Sequence, residues 1–198
     1  TTLFRSVALM KKGAALCDFI GINYYQTSMV KYNPPDGVGF GGMNTSGKKG
    51  TQSENGVPGL YKYVRNEALD YTDWDWAIDP DGLRLGLELL HERYGLPIVI
   101  SENGLGAYDT LNDLGEIDDH YRIEFLRRHI LACRQAVENG VGLLAYCTWS
   151  FTDLLSWLNG YKKRYGFVHI DFESGTLQRR KKKSFDWYKS VIESNGDV

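Results

Sequence analysis

Two apolar segments separated by one amphipathic helix constrain the fold of this chain most strongly. Residues 97–101 and 141–147 are short apolar runs that predict buried strands, the first of them buried on both faces. Residues 118–138 between them carry apolar side chains at spacings of 3 and 4, as a helix does. A strand, a helix and a strand in this order almost always form a right-handed parallel crossover, so the chain is predicted to be α/β. The predicted apolar stripe of the helix is Ile123, Leu126, Ile130, Cys133 and Val137.

Further elements are predicted on both sides of this unit. Residues 18–25 are β-branched and aromatic, which favours a strand. The sequence Asp79-Pro-Asp-Gly-Leu83 opens a helix that Gly95 ends. The other predicted elements are a long loop at 33–59, a hairpin at 166–171 with a turn at Gly175, and a last helix at 185–192.

Polar or aromatic side chains stand at the C-terminal ends of the three predicted parallel strands, namely Asn23, Glu102 and Trp149. Alternating strands and helices fit either a doubly wound sheet or a (β/α)8 barrel, and barrels build their sites at these strand ends. No GxGxxG or GxxxxGK[ST] motif is present, so dinucleotide and P-loop folds lack support. The barrel is therefore the predicted fold. Such barrels need about 250 residues, so a chain of 198 that begins with Thr1 is expected to be a piece of one.

Charge and cysteine content argue against several functions. A net charge of −2 and a pI near 6.1 predict neither nucleic-acid nor membrane binding, and no apolar run reaches the roughly 20 residues of a membrane helix. The basic run at 179–183 is interpreted as a solvated surface rather than a nucleic-acid patch. Cys17, Cys133 and Cys147 are odd in number and widely spaced, which predicts reduced thiols in a cytoplasmic protein.

Glu102 is the strongest candidate for chemistry. It ends a predicted buried strand directly before Asn103 and Gly104, where a carboxylate is costly unless it is paired or used. Two interpretations are open from the pattern alone. Glu102 is either a solvated loop residue or helix N-cap acid, or a catalytic carboxylate that faces the mouth of a barrel.

Four motifs resemble those of the family 1 glycoside hydrolases and occur in that family's order. The resemblance implies a (β/α)8 barrel, with residues 1–198 as the C-terminal part of a single barrel domain that contains about strands six to eight. The matching segments are Phe19-Ile-Gly-Ile-Asn-Tyr-Tyr25, Asp79-Pro-Asp-Gly-Leu83, Ile98-Val-Ile-Ser-Glu-Asn-Gly104 and Thr148-Trp-Ser150.

The resemblance assigns roles to four residues. Glu102 matches the nucleophile of a retaining glycosidase, and Tyr25 would donate a hydrogen bond that keeps this carboxylate ionised and oriented. Asn23 would lie near the same carboxylate. Trp149 would stack under the sugar ring, although an arbitrary Trp at a strand end is more often a core residue. No metal or organic cofactor is implied, because glycoside hydrolysis needs only carboxylates and water.

The general acid of the family lies in an Asn-Glu-Pro motif, which does not occur in this sequence. Asn66-Glu67-Ala68 lacks the proline of that motif. Glu54-Asn55-Gly56 repeats the Glu-Asn-Gly letters of residues 102–104, but no predicted strand precedes it. Neither segment replaces the acid. The isolated chain is therefore expected not to turn over substrate.

The segment from Ser156 to Gly166 resembles the SWxNGYxKRYG pattern of the 6-phospho-glycosidases. By this resemblance Ser156, Lys163 and Tyr165 bind a phosphate through charge-assisted hydrogen bonds. Ordinary β-glucosidases carry a Glu at the position of Ser156, and that acid would repel phosphate. Without the pattern, residues 162–164 would be interpreted as a solvated basic turn.

Two more tryptophans are weaker candidates. The resemblance puts Trp74 near the leaving-group side, although the aromatics of its acidic loop could instead be a surface brace. Trp157 could contact the sugar O4. A Trp there resembles the 6-phospho-β-galactosidases, whereas the surrounding loop resembles the 6-phospho-β-glucosidases, so the sugar epimer stays open.

The sequence thus predicts part of a cytoplasmic enzyme that hydrolyses 6-phospho-β-glucosides, with a phosphorylated disaccharide or aryl β-glycoside as substrate. Two alternatives remain, a 6-phospho-β-galactosidase and a non-catalytic phospho-sugar binder. An Asn-Glu-Pro motif upstream of Thr1 would indicate the enzyme, and its loss would indicate the binder. Nothing in the sequence indicates the oligomeric state.

Overall fold

A computed structural model of the chain describes residues 2–14 and 16–198. Four helices and ten short strands are assigned within these residues. In chain order they are α1 (Thr2–Ala14), β1 (Ile20–Asn23), β2 (Met29–Tyr32), β3 (Gly56–Val57), β4 (Tyr61–Val64), β5 (Asp70–Tyr71), β6 (Ala77–Ile78), α2 (Pro80–Tyr94), β7 (Ile98–Asn103), α3 (His120–Glu138), β8 (Leu143–Thr148), β9 (Val168–Ile170), β10 (Arg179–Lys181) and α4 (Lys183–Glu193).

A parallel sheet with the strand order β1-β7-β8 is the centre of the fold, as the strand–helix–strand pattern predicts. Asn23 is the register partner of Glu102, and Asn103 is the partner of Thr148. The carboxyl ends of the three strands therefore meet at one edge. This edge carries all three strand-end residues that the sequence singles out.

Helices α2 and α3 pack against each other and against the sheet. Asp79 caps α2 by accepting a 2.9 Å hydrogen bond from the backbone N–H of Gly82, and Gly95 ends the helix in the left-handed region at φ 65°. Leu83 and Leu87 are fully buried, and each such side chain contributes about 1.5–3 kcal/mol. The core that they form also contains Ile98, Ile100, Cys133, Ala136 and Val141.

The predicted stripe of α3 is confirmed at four of its five positions, since Ile123, Leu126, Ile130 and Cys133 are buried. The prediction is wrong at Val137, which is 48% exposed. Ala136, one residue earlier, is fully buried and occupies the core position of the last turn. The residue three positions after Cys133, Ala136, still faces the sheet, whereas the residue four positions after it, Val137, points away from the core.

The prediction that the strand at 97–101 is buried on both faces is also wrong. In β7, Ile98 and Ile100 are fully buried, whereas Ser101 is exposed. Strand β8 also has one face exposed to solvent, where Leu144 is 62% exposed. Helices α2 and α3 cover one side of the sheet, and β1 and β8 are its edge strands.

Smaller antiparallel sheets surround the parallel one. The hairpin of β9 and β10 is confirmed, and the last helix runs slightly further than predicted. The loop at 33–59 is irregular until β3, which joins β4 and β2 in a sheet that the sequence pattern does not reveal. Cys17, Cys133 and Cys147 are unpaired, and within the described residues no helix is long and apolar enough to span a membrane.

Candidate active site

Glu102 and Tyr25 meet at the carboxyl edge of the parallel sheet. The Tyr25 hydroxyl donates a 2.6 Å hydrogen bond to Glu102 Oε2, and both residues are half-buried. Burial raises the pKa of Tyr25 far above its usual value, and the hydrogen bond to Glu102 adds to this effect. The phenol therefore stays protonated and remains a donor to the carboxylate. This is the contact that the sequence resemblance predicts.

Asn103 joins the ends of all three parallel strands and has no separate role in the sequence prediction. It is fully buried, its Nδ2 donates to the Tyr24 carbonyl at 2.8 Å, and its Oδ1 accepts from the Tyr146 hydroxyl at 2.5 Å. Its carbonyl also accepts from the Trp149 backbone N–H at 2.8 Å. Asn103 thus fixes the residues on either side of the Glu102–Tyr25 pair. Its position directly after the candidate nucleophile, at the end of a predicted buried strand, is the sequence signal that could have revealed Asn103.

Trp149 and Asn23 lie at the same edge. Trp149 is half-buried, and its carbonyl would be 1.8 Å from a Cβ at Gly104, so only glycine allows this approach. Asn23 is exposed, and its Oδ1 accepts a 2.7 Å hydrogen bond from Ser101 Oγ. Their contacts with a sugar stay predictions.

Lys163 is the most unusual residue of the site. It is 1% exposed, and its Nζ lies 3.5 Å from the ring centroid of Trp76 and 4.8 Å from that of Trp74. Within the described chain its ammonium group has neither a hydrogen-bond acceptor nor a carboxylate partner. Burial lowers the pKa of Lys163 to about 7. A buried cation without a partner costs free energy, and the attraction of the aromatic faces offsets only a part of that cost.

Ser156 and Tyr165 lie with Lys163, and we call these three residues with Trp74 and Trp76 the Lys163 cluster. Ser156 and Tyr165 are 9% and 6% exposed, and Lys163 Nζ is 5.5 Å from the Tyr165 ring centroid. Burial raises the pKa of Tyr165, while a hydrogen bond with Ser156 acts in the opposite direction. The structure therefore brings together a hydroxyl, a phenol and a lysine, as predicted.

Trp76 connects the Lys163 cluster to the Glu102–Tyr25 pair. Its ring contacts the Tyr25 ring edge-on, with centroids 5.4 Å apart, while Lys163 Nζ lies over the same indole. A Cβ at Gly106 would lie 2.5 Å from Lys163 Cε, so the segment after β7 also closes against the cluster. The two predicted halves of the site are thus neighbours.

The two tryptophans that are the weaker candidates in the sequence, Trp74 and Trp157, differ in exposure. Trp74 is 1% exposed, stacks on Tyr108 with centroids 4.8 Å apart, and donates from Nε1 to Asn159 Oδ1 at 2.8 Å. Trp74 is therefore a buried member of the Lys163 cluster that joins it to Tyr108 and Asn159. Trp157 is 97% exposed. Contact of either indole with a substrate stays a prediction.

A buried ionic network behind the Lys163 cluster escapes sequence reasoning. Three carboxylates, Asp109, Asp119 and Asp153, are paired with three cations, Arg122, Arg164 and Lys182. The prediction of a solvated run at 179–183 is therefore wrong at Lys182, which is 1% exposed.

The network also fixes the segment that carries Lys163. Arg164 Nη1 lies 2.9 Å from Asp153 Oδ2, and both residues flank the segment that contains Ser156 and Lys163. Burial alone would raise the pKa of Asp109, but Arg122 and Lys182 outweigh it and lower that pKa. Among the described residues, no cluster of three or more His, Cys, Asp or Glu side chains could hold a metal ion.

Residues 7–197 match the model of glycosyl hydrolase family 1, and the chain belongs to this family. It is 55% identical over 192 residues to the aryl-phospho-β-D-glucosidase BglC of Bacillus subtilis (strain 168), covering 96% of this chain and 40% of that protein. It is 46% identical over 184 residues to the 6-phospho-β-glucosidase AscB of Escherichia coli (strain K12), covering 91% of this chain and 35% of that protein.

Among solved structures, a family 1 β-glucosidase from Thermotoga maritima superposes with a TM-score of 0.76 at 32% identity, covering 91% of this chain and 36% of that one. The chain therefore spans about two fifths or less of the relatives that it matches. Its parallel sheet is a part of the fold of these β-glucosidases.

Proposed function

We propose that this chain supplies the nucleophile and the phosphate-binding site of a glycosidase that hydrolyses 6-phospho-β-glucosides with retention of configuration. The observation that carries the proposal is Lys163, a buried lysine that has no counter-ion among the described residues. The Trp76 ring lies between Lys163 and the Tyr25 phenol that is hydrogen-bonded to the Glu102 carboxylate. The names of the relatives BglC and AscB support the same substrate class.

In this mechanism Glu102 Oε attacks the anomeric carbon and forms a glycosyl–enzyme ester, while the aglycone oxygen leaves with a proton from a general acid. Tyr25 Oη holds the carboxylate at 2.6 Å before attack. Water then hydrolyses the ester and frees Glu102. We assign β1, β7 and β8 to strands six, seven and eight of the barrel, and the acid to a part of the fold outside this chain.

The phosphate would lie against Lys163, Ser156 and Tyr165. Each hydrogen bond to the dianion is worth about 1.5–3 kcal/mol, because a charged acceptor strengthens the bond. The protein is assigned to the cytoplasm, where unpaired thiols such as Cys17 and Cys147 persist.

Two other functions remain as alternatives. A 6-phospho-β-galactosidase would use the same nucleophile and phosphate site and differ at the sugar O4. A non-catalytic phospho-sugar binder would need the Lys163 cluster but not the Glu102–Tyr25 pair, so the hydrogen bond of that pair favours the enzyme.

The test is a chimera in which this chain replaces the matching segment of the Bacillus subtilis enzyme. We expect Glu102→Gln to lower kcat for an aryl 6-phospho-β-glucoside at least about 10³-fold, because the amide cannot act as the nucleophile. Lys163→Met is expected to raise KM for the phosphorylated glucoside about 10-fold or more and to leave KM for the unphosphorylated glucoside unchanged.

Three outcomes would contradict the proposal. Near-normal turnover by Glu102→Gln removes the nucleophile assignment. Equal effects of Lys163→Met on both glucosides remove the phosphate site. Faster cleavage of the 6-phospho-β-galactoside than of the glucoside replaces the proposed epimer with the alternative.

A further inference from the structure

Asp75 is held by contacts that the proposed mechanism does not use. Its backbone has φ 59°, in the left-handed region that few residues other than glycine adopt, and its side chain is only 4% exposed. The carboxylate accepts three backbone hydrogen bonds, from Gly50 at 2.6 Å, Gln52 at 2.9 Å and Thr51 at 3.1 Å. Asn44 Nδ2 donates a fourth at 2.9 Å. Burial would raise the pKa of Asp75, but these donors lower it.

The four donors belong to one segment, residues 44–52, which we call the anchored loop. The loop lies directly against Trp74. A Cβ at Gly47 would be 2.8 Å from Trp74 Cζ2 and 2.1 Å from Tyr108 Oη, so the backbone closes on both rings. The Tyr108 hydroxyl donates to the Ser46 carbonyl at 3.1 Å, and this bond fixes the same contact.

Trp74 transmits this packing to the phosphate-binding residues. Its Nε1 donates a hydrogen bond to Asn159 Oδ1, and Asn159 Nδ2 in turn lies 3.3 Å from Ser156 Oγ. Lys163 Nζ lies over the Trp74 ring. Lys162 Nζ donates to the Ser46 carbonyl of the anchored loop at 3.4 Å. The loop is therefore the outer wall of the Lys163 cluster.

We infer that Asp75 is a positioning residue for phosphate recognition, because it pins the anchored loop against the indole that supports Ser156 and Lys163. The inference rests on the proposed function and deepens it. The ligand concerned is a sugar 6-phosphate, and Asp75 touches neither the sugar nor the phosphate.

Asp75→Asn separates this role from simple electrostatics. Asparagine tolerates the left-handed backbone and has the same shape, but its amide group replaces one acceptor oxygen. That oxygen is either Oδ2, which accepts from three donors, or Oδ1, which accepts from the Gly50 N–H and lies 3.6 Å from Arg65 Nη1. Loss of a negative charge near the phosphate would by itself strengthen anion binding. A positioning role predicts the opposite sign. Asn44→Ala loosens the same loop without changing the charge, and Asp118→Asn removes an equally charged carboxylate that pairs with Lys183 elsewhere.

The experiment measures the Kd of glucose 6-phosphate and of inorganic phosphate for the full 198-residue chain and for each variant, well below the unfolding midpoint of every protein. We expect Asp75→Asn and Asn44→Ala to weaken glucose 6-phosphate binding about 10-fold and Asp118→Asn to change it less than about 2-fold. Tighter or unchanged binding by Asp75→Asn, with Lys163→Met still weakening it, overturns the inference alone. If Lys163→Met has no effect or the unaltered chain binds no glucose 6-phosphate, the proposed phosphate site fails as well.

Discussion

Lys163 and Lys182 are both 1% exposed, yet their surroundings are opposite in kind. Lys182 Nζ pairs with Asp109 and with Asp153, the latter at 2.6 Å. Lys163 Nζ faces the Trp76 ring at 3.5 Å instead. Burial lowers the pKa of both lysines, but only Lys182 has carboxylates that counteract the effect.

The difference is that Lys182 is neutralised within the protein and Lys163 is not. A buried ion costs several kcal/mol unless its partners are buried with it, and the network around Lys182 balances three cations with three carboxylates. Lys163 bears that cost without compensation inside the described chain. A bound anion would offset this cost, and the comparison therefore supports the proposed phosphate site at Lys163.

The largest effect that tests this comparison is expected from Lys182→Met. The substitution leaves Asp109 and Asp153 buried without their shared cation, so we expect the free energy of unfolding to fall by about 3–5 kcal/mol. Urea denaturation of the chain followed by circular dichroism measures the change.

Lys163→Met is the matched control at the same burial. It removes an unpaired buried charge, and its stability should be equal to or above that of the unaltered chain at pH 7. If both substitutions destabilise equally, the distinction between the two lysines is incorrect.

The sequence reveals those parts of the fold that depend on local pattern. Helix α2 has its start at Asp79 and its end at Gly95 because caps act within one turn. The parallel pairing of β7 and β8 follows from one crossover. The hydrogen bond between Tyr25 and Glu102 joins residues 77 positions apart and was accessible only through the family resemblance.

Long-range pairing explains what the sequence does not reveal. Lys182 and Asp109 are 73 residues apart, and a run of five basic residues looks the same whether one of them is buried or not. The anchored loop is similar, because Asp75 meets residues more than 20 positions away. The predicted stripe of α3 is wrong at Val137 because the pattern does not determine whether the next buried residue lies three or four positions further along the helix.

The next effect is a pH dependence of phosphate binding. The pKa of Lys163 is lowered to about 7, so the free protein loses this cation as the pH rises through 7. Glucose 6-phosphate affinity should therefore fall above that point, by at most about 10-fold per pH unit, until it reaches the affinity of Lys163→Met. It should also fall below about pH 6 as the phosphate itself becomes protonated. Isothermal titration calorimetry between pH 5.5 and 9 measures the profile, and the alkaline decline should be absent in Lys163→Met.

The same shift has a defined sign for stability. Between about pH 7 and the ordinary value of 10.5 the unfolded chain binds the lysine proton and the folded chain does not. The free energy of unfolding should therefore rise with pH across this window, and Lys163→Met should remove that rise. An alkaline profile that is identical in both proteins would place the titration on another group.

The smallest effect is expected at Trp157, which tests the comparison from the exposed side. Its indole is 97% exposed, whereas the neighbouring Ser156 is 9% exposed, so alternate residues of one segment face solvent and the Lys163 cluster. Trp157→Ala should change the free energy of unfolding by less than about 0.5 kcal/mol and the Kd of inorganic phosphate by less than about 2-fold. Intrinsic fluorescence, with four tryptophans retained of the five, follows both quantities. A larger loss of affinity for glucose 6-phosphate than for inorganic phosphate would show that this indole reaches the sugar, and Trp157 would then join the site through the hexose rather than through its phosphate.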